Sequence, residues 1–120
     1  MATLTPTITL ATDNATSDPL SITMTGTLTT TNPAINIARA SILHTGPTNI
    51  LTTSDSAVTY VYLKNLDDTN IITVKTDGAV AFMDLDPEEF AFMPVKGAVG
   101  LEAQANAATC ILEYGYWAKG

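Results

Sequence analysis

Apolar and polar residues alternate along most of this chain, and the apolar residues are densest at residues 57–78, AVTYVYLKNLDDTNIITVKTDG. Residues 58–63 carry good β-forming side chains on both faces, which indicates a strand that is covered on both sides. The polar run at 65–70 is typical of a hairpin loop, so we expect the strand at 71–76 to pair with the first one. Asp77 and Gly78 then predict a type I′ turn into a third antiparallel strand at 79–83.

The first thirty residues alternate apolar side chains with threonines. Residues 4–10 predict a half-buried strand, and Pro6 marks it as an edge strand or an arm because proline cannot donate to a sheet ladder. We therefore expect residues 1–19 to form an N-terminal arm or edge strand, with a polar loop from residue 11 onwards. Residues 20–29 repeat the alternation, and Gly26 interrupts their apolar face as a bulge or a close crossing would.

The rest of the chain continues in short segments with turn signals between them. Residues 34–45 fit both a strand and a helical face, and we favour a strand. Residues 46–49 predict an interruption of regular structure, and residues 50–56 predict a short link. Residues 84–89 predict an acidic turn. Three more strands are expected at 90–95, 99–105 and 109–117.

Together these segments predict one all-β domain over residues 1–120, an antiparallel β-sandwich of jelly-roll-like form with about eight or nine strands. The large side chains of its strands are expected to supply the core. The predicted core residues are Tyr60, Tyr62, Phe90, Phe92, Leu101 and Leu112.

Charge and composition narrow the classes of partner. The chain has 12 acidic against 5 basic residues, a net charge of -7 that argues against a nucleic-acid partner. Charged residues make up only 14%, against roughly 25% in typical soluble domains, so we expect uncharged surface that meets a partner and makes the protein a homo-oligomer. No apolar run approaches the ~20 residues of a membrane-spanning helix, and the N-terminus does not resemble a signal peptide.

Candidate chemistry is sparse, and the sequence predicts no catalytic residue, cofactor site or metal site. His44 is the only histidine and no nucleophile motif accompanies it, while Cys110 is expected to be a buried small hydrophobe. The acidic turn containing Asp84, Asp86, Glu88 and Glu89 is the best metal candidate. An EF-hand loop counted from Asp84 needs Gly at position 89 and Glu at position 95, so a solvated turn is favoured and calcium binding stays open.

An aromatic cluster near the C-terminus is the one candidate binding surface. Tyr114, Tyr116 and Trp117 are close enough in sequence to form a stacking platform for a sugar. Strand alternation sends Trp117 to the face opposite the two tyrosines, which weakens that platform.

Three blocks in the C-terminal two thirds, YVYLKNLDDTNIITVK, LDPEEFAFMPV and LEAQANAATCILEYGYW, resemble small structural proteins of tailed bacteriophage virions. In that family a YLKN strand, an L-x-P-x-E-F-x-F-x-P strand and a closing strand with Cys and EYGY follow one another. The resemblance covers roughly residues 57–119. Glu88 stands where the family usually has the glycine of L-x-P-G-E.

The resemblance implies a β-sandwich protein without catalytic residues that decorates or cements the capsid, with the head surface favoured over the tail. Its expected partners are further copies of itself, as a trimer on a local three-fold, and the major capsid protein or another virion protein. It implies synthesis in the host cytoplasm and no membrane association. The alternative is a tail- or fibre-associated carbohydrate-binding β-sandwich module.

Overall fold

A computed structural model describes residues 2–13, 20–30, 37–51, 59–78 and 80–119, and all regular structure within these ranges is β. The strands are β1 (Ala2–Leu4), β2 (Thr7–Thr12), β3 (Leu20–Thr25), β4 (Leu28–Thr30), β5 (Ala38–Ile42), β6 (Thr48–Leu51), β7 (Thr59–Asn65), β8 (Ile72–Thr76), β9 (Ala81–Leu85), β10 (Phe90–Val95), β11 (Leu101–Ala105) and β12 (Cys110–Ala118).

Strands β5 to β12 form two four-stranded antiparallel sheets, which we call the body. Sheet I has the order β10-β7-β12-β5 and sheet II the order β6-β11-β8-β9. Only β8 and β9 are consecutive neighbours in one sheet, and every other step from β5 to β12 passes to the opposite sheet. Eight strands wound in this way form a jelly roll, so the predicted all-β sandwich of jelly-roll-like form is confirmed. The strand count differs from the predicted eight or nine, because the described residues form twelve strands, four of them outside the body.

The core lies between the two sheets and is aliphatic rather than aromatic. Leu101 and Leu112 are buried in it, as predicted. The prediction was wrong for the aromatic residues of β7 and β10, because Val61 and Leu63 point inward there and the aromatic side chains occupy the outer face of sheet I. The buried set comprises Ile42, Ile50, Leu51, Val61, Leu63, Ile72, Val74, Leu85, Val95, Leu101, Ala103, Ala105, Cys110 and Leu112.

The predicted hairpin between β7 and β8 is also wrong, since the two strands belong to opposite sheets. The buried Asn65 at the end of β7 holds this crossing in place: its Nδ2 donates to the carbonyls of Asn70 (2.9 Å) and Leu85 (3.0 Å), and its Oδ1 accepts from the Asp67 N–H (2.9 Å). A third carbonyl, that of Asp86, lies 3.3 Å from Nδ2. One amide side chain therefore ties together two loops that connect the sheets.

The turns differ in detail from the expected ones. Strand β9 pairs antiparallel with β8 as predicted, but neither Asp77 nor Gly78 has a positive φ, so the turn is not type I′. Glu88 instead has a φ of 67°, and the Glu89 N–H donates to the Asp86 carbonyl at 3.0 Å. With proline before it, this is the pattern of a type II turn, in which glycine is favoured at the position of Glu88.

One other sequence prediction was wrong, and one was confirmed for its described residues. Strand β6 begins at Thr48, inside the stretch 46–49 that is expected to interrupt regular structure, and it includes the first two residues of the link expected at 50–56. The rest of that link, residues 52–56, lies outside the described residues. Strand β5 lies within the segment 34–45 for which a strand was favoured, and residues 34–36 of that segment lie outside the described residues.

Strands β1 to β4 form two antiparallel pairs, one after the other, which together make a two-stranded N-terminal ribbon outside the body. Strand β1 pairs with β4 and β2 with β3, and the Gly26 N–H donates to the Pro6 carbonyl (3.0 Å) where the two segments meet. An isolated bridge between Thr30 and Lys119 joins the ribbon to the end of β12. The radius of gyration, 15.5 Å, exceeds the about 14 Å expected for a compact chain of this length, consistent with an element that extends from the body. Met1 and residues 14–19 of the expected arm lie outside the described residues.

Candidate functional site

The ribbon has one apolar face and one threonine face. Ile8 pairs with Met24 and Leu10 with Ile22, which places these four side chains, the apolar strip, on one side. They remain 38 to 54% exposed. On the other side Thr7 and Thr25 lie opposite each other, as do Thr9 and Thr23, with hydroxyl oxygens 3.2 and 3.5 Å apart. The ribbon therefore has the pattern of a half-buried sheet, but its apolar face has little protein against it.

An open apolar groove of about 290 Å³ separates the base of the ribbon from the outer face of sheet I. We call it the ribbon groove. The ribbon supplies one wall and strands β7 and β10 supply the other. Its lining residues are Pro6, Ile8, Met24, Gly26, Leu28, Tyr60, Phe92 and Pro94.

Aromatic rings form the wall of the groove on sheet I. The Tyr60 and Phe92 rings stack with centroids 6.1 Å apart and planes inclined by 14°. The Lys119 ammonium lies 5.0 Å from the Tyr60 ring centroid, within the range of a cation–π contact. This wall therefore combines apolar rings with one nearby positive charge.

Trp117 extends the aromatic surface along β12. It lies opposite Tyr60 in the strand register, and its ring lies over Gly115. A Cβ at position 115 would stand 2.8 Å from Ile37 Cδ1 and 3.1 Å from the Trp117 ring. Only glycine therefore leaves room for the tryptophan and Ile37 to pack over this part of sheet I.

The predicted stacking residues do not form one surface. Tyr114 and Tyr116 pack against the core from the inner face of sheet I, and Trp117 lies on the outer face. The structure places Tyr60 and Phe92 beside the groove instead. The sequence signal for these two was present, because β7 has large side chains on both faces, but alternation alone does not say which face a ribbon will border.

A polar network lies on the same outer face. The Tyr62 hydroxyl donates to Glu113 Oε1 at 2.9 Å, and Arg39 Nε donates to Glu113 Oε2 at 3.2 Å. The hydrogen bond from Tyr62 is the main cause that lowers the pKa of Glu113, with a further contribution from Arg39. Burial, followed by the bond to Glu113, raises the pKa of Tyr62. The network holds Glu113 ionised and Tyr62 protonated, which suits a structural contact.

The other candidates for chemistry lie apart from the groove. His44 is exposed in a bend, and Cys110 is fully buried, where burial raises the pKa of its thiol. In the acidic turn Asp84 Oδ1 accepts from the Thr73 hydroxyl (2.8 Å) and Glu89 Oε1 from the Asp86 N–H (2.7 Å). Within the described ranges no three His, Cys, Asp or Glu side chains are grouped so that they could hold a metal ion.

Comparison of the chain with models of protein families, with curated proteins and with solved structures found no match in any of the three. Among the residues that the structure describes, no helix is long and apolar enough to cross a membrane.

Proposed function

We propose that this chain is a structural protein of a tailed-bacteriophage virion, a decoration or cement protein that stabilises the head by protein–protein contacts. The observation that carries the proposal is the N-terminal ribbon, which extends from the body and exposes its apolar strip. The proposed partners are further copies of the chain, as a trimer, and the major capsid protein or another virion protein. The proposed location is the capsid surface, after synthesis in the host cytoplasm.

The ribbon supports this role because the body does not need it to form a core. The jelly roll buries its own aliphatic side chains between sheets I and II, whereas Leu10 and Met24 of the ribbon are 50 and 54% exposed. Complete burial of a fully exposed side chain of this size contributes about 1.5 to 3 kcal/mol, so burial of the exposed half of each of these contributes roughly half of that. Several of them on an extended hairpin are a sufficient source of binding energy for a partner surface.

The fold adds weaker support. Jelly rolls occur in viral capsid proteins and in lectins, and many unrelated functions use the same fold, so the architecture by itself favours neither function. The resemblance of the YLKN, EFAFMP and EYGY blocks to virion proteins favours the first. Such a protein works through contacts that are repeated in many symmetric copies rather than through a reaction.

A carbohydrate-binding module of a tail or fibre is the second candidate, and the aromatic outer face of sheet I favours it. Tyr60, Phe92 and Trp117 provide rings of the kind on which sugars stack. Sugar sites also need polar groups placed among the rings to bind hydroxyls. The ribbon groove is lined almost entirely by apolar side chains, which fits a protein segment better than a glycan.

The proposal is tested by the protein composition of particles. Virions are purified on a density gradient from a lysate in which this chain is made, and its copy number is measured relative to the major capsid protein. We expect many copies per particle, and adding the purified chain to particles that lack it should raise their resistance to heat. Absence of the chain from intact particles would contradict the proposal, and binding to glycans that Trp117→Ala abolishes would favour the second candidate.

A further inference from the structure

We infer that the ribbon groove receives the tip of the N-terminal ribbon from a second copy of this chain. The tip is the part of the apolar strip formed by Leu10 and Ile22. The inference rests on the proposed function, because it names the partner of the surface that carries it. It specifies which parts of the two chains meet and how the contact is repeated.

The tip and the groove are both apolar and are not in contact within one chain. Ile8 and Met24, at the base of the strip, line the groove, whereas Leu10 and Ile22 lie further along the ribbon and do not. A chain therefore does not fill its own groove with its own tip. A second copy offers the outer half of an apolar strip of matching chemistry, and the strip is continuous from Leu10 and Ile22 to the groove.

The charges favour a second copy over a partner that is recognised by charge. Residues 1–30 contain two acidic residues, Asp13 and Asp18, and no Lys or Arg. The remaining residues contain ten acidic and five basic residues, since the whole chain has 12 and 5. A contact made by the ribbon therefore brings few charges together, because this quarter of the chain holds 2 of the 17 charged residues.

The few charges near the two surfaces are of opposite sign. Asp13 follows directly on β2 at the tip, and the Lys119 ammonium lies over Tyr60 beside the groove. A tip that enters the groove of another copy brings its acidic end towards this cation. An ion pair between Asp13 and Lys119 orients a contact whose free energy comes from the burial of apolar surface.

The contact is heterologous, because a tip on one chain meets a groove on the next. Such contacts are repeated around a ring when the rotation closes. Three copies related in this way give the trimer that the proposed role requires, with each chain giving one tip and receiving another.

The test is a disulfide cross-link between the tip and the groove. Cys110 is the only cysteine of the chain and is fully buried, so it does not interfere. The full chain carrying Leu10→Cys and Pro94→Cys is oxidised under mild conditions and separated on a denaturing gel without reductant. The matched control carries Thr9→Cys with Pro94→Cys, which places the first thiol on the threonine face.

We expect the Leu10→Cys variant to give covalent oligomers that end at trimers and the control to give at least tenfold fewer. Equal cross-linking of both variants, or a disulfide within single chains only, would overturn the inference. Sedimentation of the unmodified chain as a monomer at tens of micromolar would overturn it as well. The presence of the chain in virions tests the proposed role separately: a monomer found on particles would contradict the trimer and the pairing of copies, but not the role as a decoration protein.

Discussion

The body and the N-terminal ribbon have the same alternation of apolar and polar residues, but they bury their apolar side chains to different extents. In β11 the inward residues Leu101, Ala103 and Ala105 are at most 3% exposed because sheet I covers them. In β2 the equivalent residues Ile8 and Leu10 are 38 and 50% exposed. The alternation thus specifies a strand with an apolar side, and a second layer decides whether that side stabilises the fold or remains available for association.

The sharpest test of this difference is one substitution made in both regions. Leu112→Ala removes a fully buried side chain and should lower the free energy of unfolding by about 2 to 5 kcal/mol, because it leaves a cavity between the sheets. Leu10→Ala changes a half-exposed residue of the ribbon and should cost less than about 1 kcal/mol. Denaturant titration of both variants measures the two losses, and equal losses would show that the ribbon belongs to the cooperative core.

The buried amide of Asn65 should be the most sensitive polar position of the body. Asn65→Ala leaves the carbonyls of Asn70 and Leu85 and the Asp67 N–H without their partner, and each such buried group costs about 1 to 3 kcal/mol. We expect a loss of about 3 kcal/mol in total. The exposed Asn49 is the matched control, and Asn49→Ala should stay within about 0.5 kcal/mol of the parent. Similar melting temperatures for the two variants would contradict the role of Asn65 as the tie between the loops.

The aromatic wall should contribute less than the core. Phe92→Ala removes the ring stacked on Tyr60 at the groove, and we expect a loss of about 1 to 2 kcal/mol rather than the 3 to 5 of a core phenylalanine. Phe90, 69% exposed, is the control, and Phe90→Ala should change stability by less than about 0.5 kcal/mol. Failure of Phe92→Ala to fold would place this side chain in the core and contradict the strand faces described above.

The smallest expected effect depends on pH. The N–H groups of Asn70 (2.6 Å) and Thr69 (3.0 Å) donate to Asp67 Oδ2 and lower the pKa of this carboxyl. A lowered pKa in the folded state means that ionised Asp67 stabilises the fold above its unfolded pKa, and that this contribution is lost as the pH falls through the folded pKa. Asp67→Asn should therefore melt slightly below the parent at neutral pH, and the difference should shrink in acid. A difference that is constant from neutral to strongly acidic pH would rule out this cause.

The local sequence predicted where most strands lie, but it did not predict which strands pair with each other. Alternation located β8, β10, β11 and β12 because each has one buried face, and Asp77-Gly78 located the turn to β9. The same polar loop chemistry at 65–70 fits a hairpin and a crossing between sheets. The choice depends on long-range pairing of β7 with β10 and β12 and on the burial of Asn65, which no local pattern contains.

The candidate site was harder to predict for a related physical reason. Strand β7 carries Val61 and Leu63 on one face and Tyr60 and Tyr62 on the other, so both faces qualify as core by residue type. Which face is inside depends on sheet II, and which face borders the groove depends on the ribbon. Gly115 was the usable signal, since a glycine two residues before a tryptophan in a strand marks a place where a side chain packs close to the backbone.

If the apolar strip serves association and not the fold, a charge placed on it should separate the oligomer without unfolding the chain, and sedimentation velocity of two neighbouring variants measures this. Leu10→Asp places a charge on the apolar strip, and Thr9→Asp places the same charge on the threonine face. We expect the parent and Thr9→Asp to sediment as oligomers, and Leu10→Asp to sediment as a compact folded monomer of 12.6 kDa. An oligomer of unchanged size for Leu10→Asp, or an unfolded chain, would contradict the claim.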